Sequence, residues 1–321
     1  LTGDAPVIAR PGQIAQSGPL PVILSLERMD RIRSVNPEDD AMTVEAGCIL
    51  ARVQETAAEA DRLFPLSLAS EGSARIGGLL ATNAGGINVL RYGSTRDLVL
   101  GVEAVLPDGS VLNGLKTLRK DNTGYDLRHL LIGSEGTLGI ITAASLRLFP
   151  RPREVATAFC AVESPGMAGD LLRQLRERLG MSIAAFELMS GIGMTFLADV
   201  CPDVPAPPVT GPWLVLVEAT GGQDSGVAET LEASLADAWE AGLVQDAAIA
   251  QSETQRAAFW RIREDLPEAN RRIGGISSHD VALSLGDLPA FIAEADAAVH
   301  DLDPERSFVD LELQPSTYFV I

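Results

Sequence analysis

The first half of the chain carries short apolar runs separated by turns, a pattern that predicts β-strands. Residues 22–26 and 41–45 are two such runs, and residues 36–40 between them have the composition of a turn. Residues 49–63 instead place apolar side chains at helical spacing, which predicts a helix. Further strands are predicted at 98–106, 130–132, 140–142 and 145–149.

The pattern changes at the proline-punctuated connector Pro150-Arg-Pro-Arg153, after which strands and helices alternate. Ser164-Pro165 is typical of an N-cap followed by the first helical residue, and Gly180 is placed to end that helix. Ser252 begins a capping box that opens a later helix. A further helix is predicted at 227–241, and strands at 155–162, 213–218, 281–285 and 307–313. This order predicts an α+β domain whose helices cover one face of an antiparallel sheet.

The length of 321 residues is sufficient for two domains with separate cores, and we expect them at 1–150 and 151–321. The formal net charge of −19 opposes binding to nucleic acid or to anionic lipid, since both need a basic face. No apolar run reaches the ~18 residues that a membrane-spanning helix needs. The 321 residues contain no basic and apolar leader pattern, so nothing in them indicates export.

The cysteines and histidines do not form a recognisable metal or catalytic motif. Cys48, Cys160 and Cys201 are scattered and include no CxxC pair, which argues against a zinc–thiolate site. Reduced thiols of a cytoplasmic protein are the expected state. The sequence contains no GxGxxG, P-loop or GxSxG motif, so the nicotinamide, P-loop and α/β-hydrolase classes lose their main support.

A glycine-rich run at 66–86 is the strongest local signal of a binding site. Glycine allows close approach of a ligand to the backbone, and interspersed hydroxyls and amides supply donors, so the run suits a phosphate-bearing cofactor. A plain loop is the alternative interpretation. Apolar residues within it predict a short helical turn that faces a core: Ile76, Leu79 and Leu80. A second run of the same character lies at 133–140.

Five segments together resemble the FAD-linked oxidoreductases of the vanillyl-alcohol-oxidase type, which have a PCMH-type FAD-binding domain. The similarity covers about residues 1–298, and the closest branch contains the D-lactate and D-2-hydroxyglutarate dehydrogenases. The segments are Val44-Glu-Ala-Gly47, residues 76–86, Leu90-Arg-Tyr-Gly93, Lys120-Asp-Asn-Thr-Gly-Tyr-Asp126 and residues 132–142. The resemblance implies an α+β chain in which the FAD-binding domain precedes a ferredoxin-like substrate cap.

The resemblance also implies which residues hold FAD. One group lies against the pyrophosphate and ribityl chain: Gly77, Gly78, Thr82, Asn83, Gly85 and Gly86. Another lines the adenine–ribityl side: Glu135, Gly136, Gly139 and Ile140. The predicted cofactor set is completed by Gly3, Gly72, Ser73 and Ala84. Leu79 departs from the family, which often has Asn at this position.

In the cap, Arg263 matches the position of the family's substrate-carboxylate arginine, whose fork geometry suits a carboxylate. Pro267 stands one turn later, where relatives often have Thr, and Ser278 stands where they often have Lys. His279 is expected either to line the cofactor site or to be a core histidine. From the residues alone, Arg263 would be a solvated helix residue.

Both ends depart from the family pattern. Residues 1–5 resemble the tail of a pyrophosphate loop, so we expect the first FAD subdomain to be incomplete. The family's divalent-metal segment has no counterpart in residues 308–318, and Asp310 and Glu312 without histidine are a poor substitute. Because that assembly removes the substrate's proton, we expect activity of this chain to be impaired.

The function expected from the resemblance is oxidation of a D-2-hydroxy acid such as lactate, glycolate or 2-hydroxyglutarate, by hydride transfer to flavin. Electrons would pass to a quinone, flavoprotein or cytochrome. The expected assembly of the chain is a homodimer. One alternative is a non-catalytic flavin-binding or interaction remnant of the same fold. Another is oxidation of phenols or alcohols, which Arg263 opposes because those substrates lack a carboxylate.

Overall fold

The chain divides into two units, each with its own sheet. The computed structural model describes residues 22–274, 280–281, 283–302 and 319–320. The first unit comprises Leu1–Gly86 and Tyr92–Arg151, and the second comprises Ile87–Arg91 and Pro152–Ile321. The chain therefore leaves the first unit at Ile87 and returns to it at Tyr92.

The first unit contains mainly short elements. In chain order they are β1 (Ile32–Asn36), β2 (Ala41–Glu45), α1 (Leu50–Glu59), β3 (Arg62–Leu63), α2 (Ile76–Ala81), α3 (Val89–Tyr92, shared with the second unit), β4 (Val99–Val105), β5 (Val111–Asn113), α4 (Leu127–Leu131), β6 (Ile140–Arg147) and β7 (Phe149–Pro150). A 3-10 turn, Thr95–Leu98, precedes β4.

Five of these strands form an antiparallel sheet in the order β1-β2-β6-β4-β5. Its central strands contribute Val44, Val102 and Leu146 to a core that also receives the apolar stripe of α1. The predicted helical turn in the glycine run is confirmed as α2. Its three apolar side chains, Ile76, Leu79 and Leu80, are buried in the same core.

Glu45 is a buried carboxylate at the end of β2. Its oxygens accept hydrogen bonds from the Arg31 side chain at 2.9 Å, the Arg31 backbone N–H at 3.0 Å and Arg33 Nε at 3.2 Å. These bonds favour the charged form, and they lower the pKa of Glu45 from 4.5 to about 2. The hydrogen bonds from Arg31 and Arg33 to Glu45 thus join β2 to β1 and to the residue that precedes β1.

Four predictions for the first unit are wrong. Residues 140–142 and 145–147 belong to one continuous strand, β6, and not to two. Residues 22–26 form no strand, and Val22 is 91% exposed, because an apolar run becomes a strand only where a partner strand pairs with it. The helix predicted to reach residue 63 ends at Glu59, and Asp61 has a φ of +54°. Residues 130 and 131 lie in α4, whose short apolar run was ambiguous between helix and strand.

The second unit has longer elements. They are β8 (Glu154–Val162), α5 (Pro165–Leu179), β9 (Ile183–Ser190), α6 (Gly191–Val200), β10 (Trp213–Gly221), α7 (Val227–Glu240), β11 (Asp246–Ile249), α8 (Glu253–Ile273), β12 (Asp280–Val281), α9 (Leu288–Leu302) and β13 (Phe319–Val320). β12 and β13 pair with each other.

Four strands of this unit form an antiparallel sheet in the order β11-β8-β10-β9. The chain order of these strands with α5 and α7 between them is the β-α-β-β-α-β arrangement of a ferredoxin-like fold. Helices cover both faces, contrary to the prediction of one. The sheet face that carries Cys160 packs against α5 and α7, and the opposite face, which carries Phe159, packs against α6 and α8. As a result, β9 and almost all of β10 are buried on both sides.

The helix caps follow the sequence prediction closely. Ser164 Oγ accepts from the Met167 N–H at 3.3 Å, and Gly180 ends α5 with a φ of +53°. Ser252 Oγ accepts from the Gln255 N–H at 3.2 Å. The reciprocal half of the predicted capping box is shifted, since the Gln255 side chain accepts from residue 251.

Several second-unit elements were not predicted, among them β9, α6, β11 and α9. For β9 and α6 the reason is that their nearly continuous apolar run has no distinguishing period. The strand predicted at 281–285 is limited, among described residues, to β12, and residues 285–287 form a turn. The strand predicted at 307–313 lies outside the described residues.

Helix α8 is anchored to the sheet by a buried carboxylate on β10, Glu218. Its oxygens accept from Arg256 at 2.7 and 3.0 Å, from Trp260 Nε1 at 2.7 Å and from Thr157 Oγ1 at 2.8 Å. The hydrogen bond to Glu218 raises the pKa of Arg256, so the guanidinium stays charged. Removing the acceptor of such a network leaves its buried donors without a hydrogen-bond partner.

We therefore predict that Glu218→Ala lowers the free energy of unfolding by about 2–4 kcal/mol, because it leaves the buried donors of Trp260 and Thr157 without an acceptor, at about 1–3 kcal/mol each. Urea unfolding followed by circular dichroism measures the change. Glu232→Ala, on the exposed surface of α7, is the matched control and should change it by less than about 0.5 kcal/mol. Equal effects of the two substitutions would show that Glu218 does not anchor α8.

Candidate functional site

The two glycine runs meet in the first unit. The Gly133 N–H donates to the Leu80 carbonyl at 3.0 Å, and the Glu135 N–H donates to the Ala81 carbonyl at 2.9 Å. These bonds attach the turn of the second run to the C-terminal end of α2. Segments about 50 residues apart in sequence are thereby held side by side.

The two runs border a shared cavity of about 220 Å³. Its lining comprises Leu24, Leu26, Gly77, Gly78, Ala81, Leu131, Ser134, Glu135, Gly136, Gly139, Ile140 and Ile141. Glu135 is the one charged residue in this set. Such a lining suits an extended cofactor, because backbone N–H groups beside glycines can donate to phosphate oxygens and aliphatic side chains can contact its apolar part.

Two lining glycines are also required by packing. A Cβ on Gly77 would lie 2.8 Å from the Ala46 Cβ, and one on Gly139 would lie 3.0 Å from the Val105 carbonyl oxygen. The Gly77 N–H also donates to the Ala46 carbonyl at 2.7 Å. The start of α2 is therefore pressed against the turn after β2, which leaves room for a ligand on its other side.

The turn of the second run has an unusual backbone. Glu135 has a φ of +51° and Gly136 a φ of +78°, so two successive residues adopt the left-handed conformation. For Glu135 this conformation is uncommon and is maintained by the bond to Ala81. Strained turns of this kind often lie at ligand sites.

Other predicted cofactor residues lie in the same unit but not in the cavity lining. Gly72 and Ser73 are exposed in a turn, and Gly85 is half-buried. Asn83 Oδ1 accepts from the Arg96 N–H at 2.9 Å and from Ser94 Oγ at 3.2 Å. Thr82 Oγ1 donates to the Gly78 carbonyl, and Thr95 Oγ1 donates to the Ala84 carbonyl. Gly86 lies so close to the Ser67 carbonyl that a Cβ would be 2.5 Å from its oxygen.

Leu79, the departure from the family pattern, is 5% exposed and belongs to the hydrophobic core. Its side chain thus contributes to packing rather than to a polar contact. Gly3 and His279, the other predicted site residues, lie outside the described residues.

Arg263 is in the second unit, on α8, and is not the solvated residue that sequence reasoning alone suggested. It is 8% exposed, and its Nε donates to Glu187 Oε2 of β9 at 3.1 Å. Pro267 lies within α8 and cannot donate to the backbone carbonyl four residues earlier, which is that of Arg263. The guanidinium is therefore held in one orientation by a carboxylate from the sheet.

Glu187 was not singled out by sequence reasoning. It is fully buried, and among the described residues its Oε1 has no hydrogen-bond partner. Burial raises the pKa of Glu187, and the adjacent Arg263 opposes that rise. A lone carboxylate within the apolar run Ile183–Ser190 was the signal that could have identified it.

The described residues contain no group of three or more histidine, cysteine or carboxylate side chains that could hold a metal ion. No helix in the described part of the chain is long and apolar enough to cross a membrane.

Comparison with known proteins identifies the family. Residues 6–114 match the FAD binding domain model, and residues 151–317 match the model of the FAD linked oxidases, C-terminal domain. The second match alone covers more than half of the chain. The chain therefore belongs to the FAD-linked oxidases, and the resemblance stated above is confirmed.

Several relatives are named D-2-hydroxyglutarate dehydrogenases. The mitochondrial protein of Bos taurus is 41% identical over 278 residues, which are 85% of this chain and 51% of that protein. The probable mitochondrial enzyme of Oryza sativa subsp. indica is 39% identical over 88% of this chain and 51% of its own length. The protein of Xanthomonas citri pv. viticola is 36% identical over 93% and 62% respectively. The chain spans about half the length of the first two.

Solved structures support the fold. p-Cresol methylhydroxylase has a TM-score of 0.69 at 16% identity, over 92% of this chain and 64% of that chain. Alkyldihydroxyacetonephosphate synthase has a TM-score of 0.68 at 18% identity, over 92% and 59%. At these identities the likeness concerns the fold alone, and it confirms the expected α+β, PCMH-type architecture.

Two glycines of the first run provide a matched pair of substitutions. We predict that Gly77→Ala destabilises the protein by about 1–3 kcal/mol, because its methyl group would overlap the Ala46 side chain. At Gly72 a Cβ meets nothing within 4 Å. Gly72→Ala should therefore be neutral or stabilising by about 0.4–1 kcal/mol. Urea unfolding distinguishes them, and similar values for the two variants would contradict the packing argument.

The buried carboxylate of Glu187 predicts a specific pH dependence. Its pKa is raised from 4.5 to about 7, so the folded protein holds this proton more tightly than the unfolded chain does. Between these values the free energy of unfolding must fall as the pH rises. Glu187→Gln should remove this part of the slope.

Urea unfolding of both proteins at about pH 5 and about pH 7.5 tests this linkage. The wild type should lose stability relative to Glu187→Gln at the higher pH, while Glu232→Gln should follow the wild type. The opposite trend, with the wild type gaining on Glu187→Gln as the pH rises, would show that the pair with Arg263 outweighs burial.

Proposed function

We propose that this chain carries the cofactor-binding and substrate-binding parts of an FAD-dependent dehydrogenase that oxidises a D-2-hydroxy acid. The observation that carries the proposal is the shared cavity of the two glycine runs in a member of the FAD-linked oxidases. The named relatives that act on D-2-hydroxyglutarate support this choice of acid. Lactate and glycolate are the other candidates.

The cavity supports a division of labour among the FAD-binding residues. Gly78 would offer its backbone N–H to the pyrophosphate, and Gly77, whose own N–H is bonded to Ala46, would allow close approach because it lacks a side chain. Gly136, Gly139 and Ile140 would border the adenine–ribityl side. In this proposal Thr82, Asn83 and Ala84 support the loop through their own hydrogen bonds.

Arg263 is our candidate for binding the substrate carboxylate. Its guanidinium is held by Glu187, and a fixed guanidinium orients a carboxylate through charge-assisted hydrogen bonds. Oxidation of the acid removes a hydride from carbon and a proton from the hydroxyl group, and FAD when bound supplies the hydride acceptor. The proton requires a base, and none of the residues assigned in this chain is one.

The remaining assignments concern the cellular setting. We propose a quinone, a flavoprotein or a cytochrome as the electron acceptor, and a homodimer as the assembly. A cytoplasmic location is supported by Cys48, Cys160 and Cys201, which are free and buried thiols, as expected in a reducing compartment. The mitochondrial names belong to the plant and animal relatives.

Flavin absorbance tests the proposal directly. The purified chain is incubated with FAD, freed of excess cofactor and mixed anaerobically with D-2-hydroxyglutarate, L-2-hydroxyglutarate, D-lactate or glycolate. We predict a yellow protein that a D-2-hydroxy acid bleaches and its L isomer does not. Bleaching should be slower than the about 1–10³ s⁻¹ of ordinary enzymes, because the sequence of residues 308–318 lacks the ligands of the family's divalent-metal segment.

The outcomes separate the proposal from its alternatives. A yellow protein that neither isomer bleaches would support a flavin-binding remnant without catalysis. A folded protein that retains no FAD would contradict the cofactor assignment. Arg263→Lys should weaken the response to the D isomer while flavin absorbance is retained, since a lysine cannot form the bidentate pair. Loss of flavin in that variant would point to a structural role instead.

A further inference from the structure

A second cavity in the first unit, separate from the glycine runs, is lined mainly by cations. It has a volume of about 270 Å³, and its lining comprises Arg96, Asp97, Val99, Leu100, Arg119, Arg128, His129 and Arg147. We refer to it as the arginine cleft. None of these residues borders the glycine cavity.

Two of the four arginines have their charge balanced by a carboxylate. Arg119 donates to Asp40 Oδ2 at 2.8 Å, and Arg128 pairs with Asp126. Asp40 is itself shared with Arg62, whose Nε lies 2.7 Å from Oδ1. These pairs hold the two guanidinium groups in place at the edge of the cleft.

Arg147 has no carboxylate partner within the described part of the chain. Its guanidinium carbon lies 4.5 Å from the centre of the Phe149 ring, and its Nε is buried without a hydrogen-bond partner. An aromatic face holds a cation but does not neutralise it. A buried N–H that lacks an acceptor costs free energy, so this nitrogen has an unmet requirement for one.

Arg96 is likewise not paired with a carboxylate in the described residues. Its guanidinium donates to backbone carbonyls at the C-terminal end of α4, those of His129 and Ile132. These contacts fix the side chain but leave a full positive charge. The carboxylate in the lining, Asp97, accepts from the Ser94 N–H at 2.9 Å and from Ser94 Oγ at 3.2 Å.

This concentration of positive charge is unusual for the chain as a whole, which has a net charge of −19. Arginines fixed around a concave surface create a positive potential there, and their like charges repel one another. Guanidinium groups recognise carboxylate and phosphate oxygens through directed hydrogen bonds. A bound dianion would offset the two charges that lack a carboxylate partner.

We propose that the arginine cleft is a binding site for a small dianion, either a phosphate group or a dicarboxylate. Arg147 and Arg96 supply the uncompensated charge, and Arg119 and Arg128 border the ligand. The cleft is distinct from the cavity assigned to FAD, so occupation of one does not require the other. The proposal does not depend on the function proposed above.

Isothermal titration calorimetry at low salt tests the site on the full chain saturated with FAD. Separate titrations use inorganic phosphate and succinate, a dicarboxylate without a hydroxyl group. We expect saturable binding of at least one anion, and the tighter of the two identifies the ligand class. Arg147→Gln should weaken that binding tenfold or more, with a further loss on raising the salt concentration.

Arg176→Gln is the matched control, because it removes the same charge from the exposed surface of α5 in the second unit. It should leave anion binding unchanged. Circular dichroism shows whether Arg147→Gln is folded. If it is not, Arg119→Gln, which changes a half-exposed side chain, should also weaken anion binding and serves as the test. Equal affinities in the Arg119→Gln, Arg176→Gln and wild-type proteins, or no saturable binding of either anion, would overturn the proposal.

Discussion

Close backbone contact at Gly77 is the constraint on which the candidate cofactor site depends. The Gly77 N–H donates to the Ala46 carbonyl, and a side chain at Gly77 would overlap Ala46. Because α2 is seated so closely, its C-terminal carbonyls reach the Gly133 and Glu135 N–H groups of the second glycine run. The cavity lies between the two runs that this packing holds together, and Gly77 in its lining is required by the contact with Ala46.

The second unit depends on buried charge in a different way. Two carboxylates on the same face of its sheet, Glu187 and Glu218, each receive an arginine from α8. Glu218 accepts from several donors, whereas Glu187 accepts from Arg263 through Oε2 while its Oε1 has no hydrogen-bond partner among the described residues. The fully satisfied site is suited to anchoring the helix. The less satisfied one, at Arg263, is where a ligand could alter the electrostatic balance.

Local features of the structure could be predicted from sequence where the responsible interactions are local. The helical turn α2 follows from the spacing of its apolar residues, and the start of α5 follows from Ser164 and Pro165. Predictions failed where a distant partner decides the outcome. Residues 22–26 have strand-like composition but no pairing, and the second face of the sheet in the second unit is covered by α6 and α8, which pack against it.

Sequence was sufficient to establish the family and the two glycine runs, and it singled out Arg263 as a candidate, because those signals consist of residue types at given spacings. Only the tertiary structure could show which glycines line the cavity and which support the loop. It also revealed that Arg263 pairs with Glu187, and that Arg96 and Arg147 border one cleft. Each of these pairings joins residues more than 50 positions apart, and their proximity is set by strand order and helix packing rather than by any local pattern.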